Sequence, residues 1–140
     1  MKALTLWQPW ASMVALGYKT IETRSWATDH RGPLAIHAAK VMPHEAELAC
    51  YENETIYNIL QRNGLTVCNL PRGFVIAIVR LHTIQKTEDA LALGLVNDVN
   101  LALGDFAPGR YAWTLNNITA VEPVRSIGGQ RIWNFVEPGD

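Results

Sequence analysis

The densest set of chemically competent side chains in this 140-residue chain is Gly17-Tyr18-Lys19-Thr20-Ile21-Glu22-Thr23-Arg24. It places a cation, an acid and a second cation in a stretch otherwise poor in charge. Lys19 and Arg24 offer donors for a phosphate or a carbonyl oxygen. Glu22 can accept from an exocyclic amine or serve as a general base in a hydrolysis. On a regular strand Thr20, Glu22 and Arg24 share one face, so Lys19 reaches Glu22 only if the turn after Gly17 swings it there. Taken alone, these residues read first as an ion pair on the rim of a sheet, which is common and weak.

Neighbouring residues widen the candidate set. His30, Arg31, His37 and Lys40 add positive or titratable charge. His37 sits in an apolar strand, where a core histidine is the ordinary reading, yet Lys40 and the motif should lie near it. Among the five tryptophans, Trp7, Trp113 and Trp133 are expected in the core. Trp10 falls on the apolar stripe of a short helix but borders the motif. Trp26, in the polar stretch Ser25 to His30, is the aromatic expected to be exposed beside the cations, where it can stack a base. Asp105 and Arg110 flank a Phe-Ala-Pro-Gly loop and can reach a cleft, although such loop charges are usually solvated. His30, His37 and His44 have no ligand spacing and no acid or cysteine to complete a site, so no metal is expected, and no other cofactor.

The elements that must position these residues are short. Leu4 to Trp7 reads as a strand. Pro9 to Leu16 reads as a helix, with Pro9 at its first position and Gly17 as its C-terminal cap. Lys19 to Arg24 alternates like a strand, and Leu34 to Ala38 is a second apolar strand. Residues 43–63 read as one long helix with Leu48, Tyr51, Thr55, Ile59 and Leu60 inward. Phe74 to about Ile84 is a buried strand, and Lys86 to Leu95 a short helix capped by Thr87. Strands follow at Arg110 to Leu115 and Ile118 to Val124, with a last short element at Ile132 to Val136. Several short strands with a few helices between them suit an α+β fold with a small, strongly curved sheet or barrel and helices at its rim.

Composition bounds the partners. Hydrophobic residues make up 49% and charged residues 18%, which excludes wholesale disorder. The net charge of −1 excludes a polybasic binder, so affinity for nucleic acid must come from a local patch. Residues 1–40 hold five Lys and Arg against Glu22 and Asp29, while Glu45 to Glu54 holds four acids and no base. A basic cleft and an acidic outer helix are expected. Cys50 and Cys68 match no disulfide or zinc pattern and read as reduced thiols of a cytoplasmic protein. No apolar run approaches a membrane span, so no membrane partner is expected. No linker or repeat is visible, and residues 1–140 read as one domain.

The pattern Gly17-x-Lys19-x-x-Glu22-x-Arg24 resembles the signature of the ASCH domain family. Trp7-Gln8-Pro9-Trp10-Ala11 before it, and Trp26, His30-Arg31-Gly32-Pro33-Leu34 and His37-Ala38-Ala39-Lys40 after it, are similar to the transcription-coactivator-like branch of that family. The clear similarity spans about residues 4–40. The resemblance implies a PUA-like mixed or antiparallel β-barrel with a cleft beside the first helix. It implies that Lys19, Glu22 and Arg24 line that cleft, with Trp10, Trp26, Arg31, His37 and Lys40 as further ligand-binding candidates.

Three classes of function follow. The first is a module binding RNA, single-stranded nucleic acid or another nucleotide-containing ligand. The second is a metal-independent hydrolase acting on RNA or a modified nucleoside, with Lys19 and Glu22 catalytic. Compact ASCH-like amidohydrolases acting on N4-acetylcytidine match at Lys19 but carry a threonine nucleophile where this chain has Glu22. Neither Glu88 nor Asp89 is a firm counterpart of their distal acid. The third is a protein-interaction role with a vestigial cleft, against which the intact charged set argues. The binding reading predicts that Lys19→Ala and Arg24→Ala weaken binding and leave the fold intact.

Overall fold

The computed structural model describes residues 1–138, so the final two residues of the expected domain lie outside it. Its elements are β1 (Lys2–Leu6), α1 (Trp10–Ala15), β2 (Ile21–Arg24), β3 (Gly32–Ala38), α2 (His44–Glu52), α3 (Glu54–Arg62), β4 (Phe74–Lys86), α4 (Thr87–Ala92), α5 (Asp98–Leu103), β5 (Tyr111–Arg125) and β6 (Ile132–Asn134). The six strands form one curled sheet in the order β2-β5-β4-β3-β1-β6. β1 and β3 are parallel, and the other pairs are antiparallel. This is a mixed α+β half-barrel with helices at its rim, in line with the small barrel or strongly curved sheet that the sequence implied.

Strand alternation sorts the core. Leu4, Leu6, Leu34, Ile36, Leu81 and Trp113 fill the inside of the curl, closed by Ala11 and Val14 of α1. Ala3, Ala35 and Val75 face the other way and are covered by Phe135 and Trp133. A second core under the helices joins Met13, Cys50, Ile56, Ile59 and Leu60 to Leu103 of α5. Among the described residues no helix is long and apolar enough to cross a membrane.

Four expectations change. The helix over 43–63 is two helices, because the extended backbone of Asn53 ends α2 and its side chain caps α3 by accepting from Ile56 N at 3.1 Å. The break shifts the buried face to Ala46 and Cys50, and leaves Leu48 and Tyr51 exposed. Thr87 does not cap α4 through its side chain; its hydroxyl donates to Ala107 O at 2.8 Å instead. The two strands expected over 110–124 are one, β5. Asn117 adopts φ 50°, which asparagine tolerates, and the extra residue there makes a bulge rather than a turn. Helix α5 was not anticipated. Asn97 caps it by accepting from Asn100 N at 2.8 Å.

Candidate functional site

Site geometry begins at the end of α1. Gln8 is fully buried and accepts from Ser12 N at 3.0 Å, which supplies an N-terminal cap that Pro9 cannot. Gly17, at φ 87°, ends the helix in the left-handed conformation that glycine adopts without strain. That turn carries Lys19 under the sheet, so the swing toward Glu22 occurs. Lys19 Nζ lies 3.4 Å from Glu22 Oε1 and donates to Ile21 O at 2.8 Å and Leu103 O at 3.1 Å. Three acceptors match the three protons of an ammonium, and the residue is only 1% exposed. Burial pulls the Lys19 amine below its ordinary range, opposed by the adjacent Glu22 carboxylate.

Glu22 is equally engaged. Arg24 approaches Oε2 with Nη2 at 2.8 Å and Nε at 3.0 Å, and Thr23 N donates to Oε1 at 3.1 Å. Burial pushes this carboxyl up, but the two cations and the hydrogen bonds outweigh it and hold it below the usual carboxylate range. Arg24 Nη2 also donates to Thr5 O at 2.9 Å. Its Nη1 donates to nothing among the described residues.

These groups line a cleft of about 600 Å³ between β1, β2, α1 and the segment containing α5. Trp7, Trp10, Thr23, Asn53, Asp105 and Arg110 share its walls. Lys19, Glu22, Arg24 and Trp10 therefore come together as anticipated. The other four candidates lie elsewhere. Trp26 packs edge-on against Trp113 with centroids 4.9 Å apart, and the Arg131 guanidinium covers its ring at 4.8 Å. Arg31 is exposed and donates to Thr28 O and His30 O. Lys40 is exposed and runs past Gly73. His37 is 2% exposed, and its Nε2 donates to Ser126 O at 2.7 Å. Its Nδ1 then accepts from the Thr5 hydroxyl at 3.1 Å, which itself accepts from Trp133 Nε1 at 3.0 Å. That tautomer is neutral, and burial lowers the ring's affinity for a second proton.

The exposed aromatic of the cleft is Trp7, at 48% exposure, not Trp26. Strand alternation carried that signal, since Leu4 and Leu6 point inward. Asn100 is the other residue missed. It is 2% exposed, and its Oδ1 accepts from Thr20 N at 2.9 Å and Ile21 N at 3.1 Å. Its Nδ2 donates to Thr20 Oγ1 at 3.0 Å. Asn100 thus clamps α5 to the start of β2, and Leu103 O of the same helix receives Lys19. The local signal was Asn97-Asp98, a helix start. The clamp itself joins residues distant in sequence.

The fold and motif geometry agree with the comparisons. The ASCH domain family model matches residues 4–124. This chain belongs to the ASCH domain family. It is 37% identical over 79 residues to Activating signal cointegrator 1 of Homo sapiens, and equally to that of Mus musculus. Each match covers 56% of this chain and 13% of the relative, so the chain corresponds to a small part of those proteins. The crystal structure of ASCH from Zymomonas mobilis aligns with a TM-score of 0.52 at 16% identity, covering 89% of this chain and 72% of that one. A crystal structure of a mutant of the same Zymomonas mobilis protein aligns at 0.51 and 14% identity, with the same coverage. These structures share the fold.

Proposed function

We propose that this ASCH domain binds a single-stranded nucleotide ligand, RNA foremost, in the cleft between α1 and α5. The observation that carries the reading is the joint presence of Trp7, half exposed, and Arg24, with Nη1 unused, on the walls of one cleft of about 600 Å³. An aromatic face takes a base, and an arginine beside it takes the base edge or the backbone. Lys19 contributes indirectly, because its protons are all committed within the protein.

The hydrolase alternative asks Glu22 or Lys19 to accept a proton. Glu22 is surrounded by donors and held ionised below the usual range, which makes it a weak base. The arrangement therefore favours binding. The test is fluorescence anisotropy with short single-stranded RNAs. Trp7→Ala should weaken binding by about 1–3 kcal/mol, roughly the value of one stacked base, and leave the melting temperature nearly unchanged. Affinity should also fall steeply with salt. Unchanged affinity in Trp7→Ala would remove the cleft from the reading. The same RNAs, with acetylated cytidine, would be incubated and read by mass spectrometry. Product formation that Glu22→Gln abolishes would replace the binding reading with the hydrolase.

A further inference from the structure

Arg110 is the cleft cation that the reading above leaves unused. It precedes β5, is half-buried, and donates from Nη2 to Thr23 O at 3.2 Å. Its Nε is shielded from solvent yet makes no hydrogen bond. The facing group is Asp105 Oδ2 at 3.6 Å, beyond hydrogen-bond distance. The Asp105 side chain is 63% exposed, and its other oxygen accepts from Ala107 N at 3.1 Å. Asp105 is therefore a loose internal counter-ion. The carbonyl that Arg110 holds belongs to the peptide leading into Arg24, and both arginines, each with uncommitted N–H groups among the described residues, line the same cleft.

Charge balance indicates what fits there. Lys19 and Arg24 flank Glu22, and Arg110 faces Asp105, which leaves the cleft with one positive charge in excess. With Asp105 turned to solvent the excess becomes two. A terminal phosphate monoester carries close to two negative charges at neutral pH and three strong acceptor oxygens. Arginine forks match that geometry.

We propose that Arg110 and Arg24 form a phosphate subsite for the phosphorylated end of a nucleotide whose base rests against Trp7, with Asp105 occupying Arg110 until the phosphate arrives. The proposal rests on the nucleotide reading and sharpens it, because it names a phosphomonoester rather than a nucleoside or an internal phosphodiester.

The test is calorimetric titration of the full chain at low salt. The probes are RNA tetramers bearing a 5′-phosphate, a 3′-phosphate or hydroxyls only, a nucleoside monophosphate, and inorganic phosphate. One of the phosphorylated tetramers should bind about tenfold tighter than the hydroxyl-ended one. Arg110→Gln should erase that difference, weakening the phosphorylated tetramer about tenfold more than the hydroxyl-ended one. Asp105→Asn, a change at an exposed side chain, should tighten phosphorylated probes more than the hydroxyl-ended tetramer, and it keeps the test open if Arg110→Gln is unstable. The mononucleotide arm separates an RNA end from a free nucleotide as the source of the phosphate. Equal binding of all tetramers, or equal weakening of all of them by Arg110→Gln, would overturn the subsite and leave the nucleotide reading standing. Inorganic phosphate binding that depends on Arg110, with no tetramer or mononucleotide bound, would support the subsite and reject the nucleotide reading. No binding by any probe would reject both.

Discussion

Replacing Lys19 with methionine should test whether this lysine supports the cleft or contacts what enters it. The side chain is 1% exposed, so methionine fills similar space and removes only the charge and its donors. Breaking a buried ion pair from one side costs about 3–5 kcal/mol, because the partner stays buried and uncompensated. Ile21 O and Leu103 O also lose a donor, at about 1–3 kcal/mol for a buried orphan, although these costs overlap. Arg24 still holds Glu22 from the other side, which limits the loss. A net destabilisation of about 3–5 kcal/mol follows, against the roughly 5–15 kcal/mol typical of a domain. Urea melts followed by tryptophan fluorescence at neutral pH measure it, and the fully buried Trp113 reports loss of the core. Lys19→Met combined with Glu22→Gln should lose less than the sum of the two single changes, since the double change leaves no unpaired charge at either position. If Lys19→Met melts within about 0.5 kcal/mol of the wild type and loses ligand instead, the lysine contacts ligand and the supporting role is wrong. The burial thus sets different expectations for Lys19 and Arg24, for which the sequence suggested one common outcome.

Two further perturbations probe the same framework. Asn100→Ala orphans the buried amides of Thr20 and Ile21 and should cost about 2–4 kcal/mol, with faster hydrogen exchange at β2 and α5 than at the β3–β4 ladder; uniform exchange across the sheet would show that α5 is not clamped locally. His37 binds its second proton less readily folded than unfolded, so its share of stability is intact above its ordinary value of 6.5 and is lost as pH falls below it; His37→Gln should flatten the slope of unfolding free energy against pH below 6.5, and an unchanged slope would place the titration elsewhere.

The N-terminal third was legible because its determinants are local. Gly17 needs no partner to adopt a positive φ, and the alternation of β2 places Glu22 and Arg24 on one face whatever lies opposite. The misreadings of Asn53, Asn100 and Trp26 share one cause, which is contact with residues distant in sequence. Asn53 resembles any polar helix residue until its amide is seen donating to Ala102 O at 3.0 Å, across to α5. Asn100 sits in a six-residue helix too short for a hydrophobic period to show. Trp26 looked exposed because its sequence neighbours are polar. The packing of Trp113 beneath it and Arg131 above it comes from β5 and the segment before β6. The two thiols differ in their surroundings. Cys50 is buried, with its pKa pushed up to about 11 by that burial and by Glu47, whereas Cys68 is exposed.

The cleft occupies the place where the barrel fails to close. β2 and β6 are the edges of the sheet, and no ladder joins β2 to β1 among the described residues. The bridge across that seam is Arg24, which reaches from β2 to Thr5 O. Among the described residues β6 pairs with Lys2 to Leu4, so Thr5 lies just past the end of that ladder, where an arginine can reach its carbonyl. The Thr5 hydroxyl in turn contacts His37 and Trp133, which hold the chain segment leading into β6. A continuous polar path thus runs from the candidate ligand site to the last strand. This explains why Glu22 must be ionised and well held. It fixes the Arg24 guanidinium in one orientation, committing Nε and Nη2 to the protein and leaving Nη1 for the ligand proposed above. A lysine at position 24 could supply the charge but not this division of labour, because one ammonium cannot span the seam and present a planar edge together.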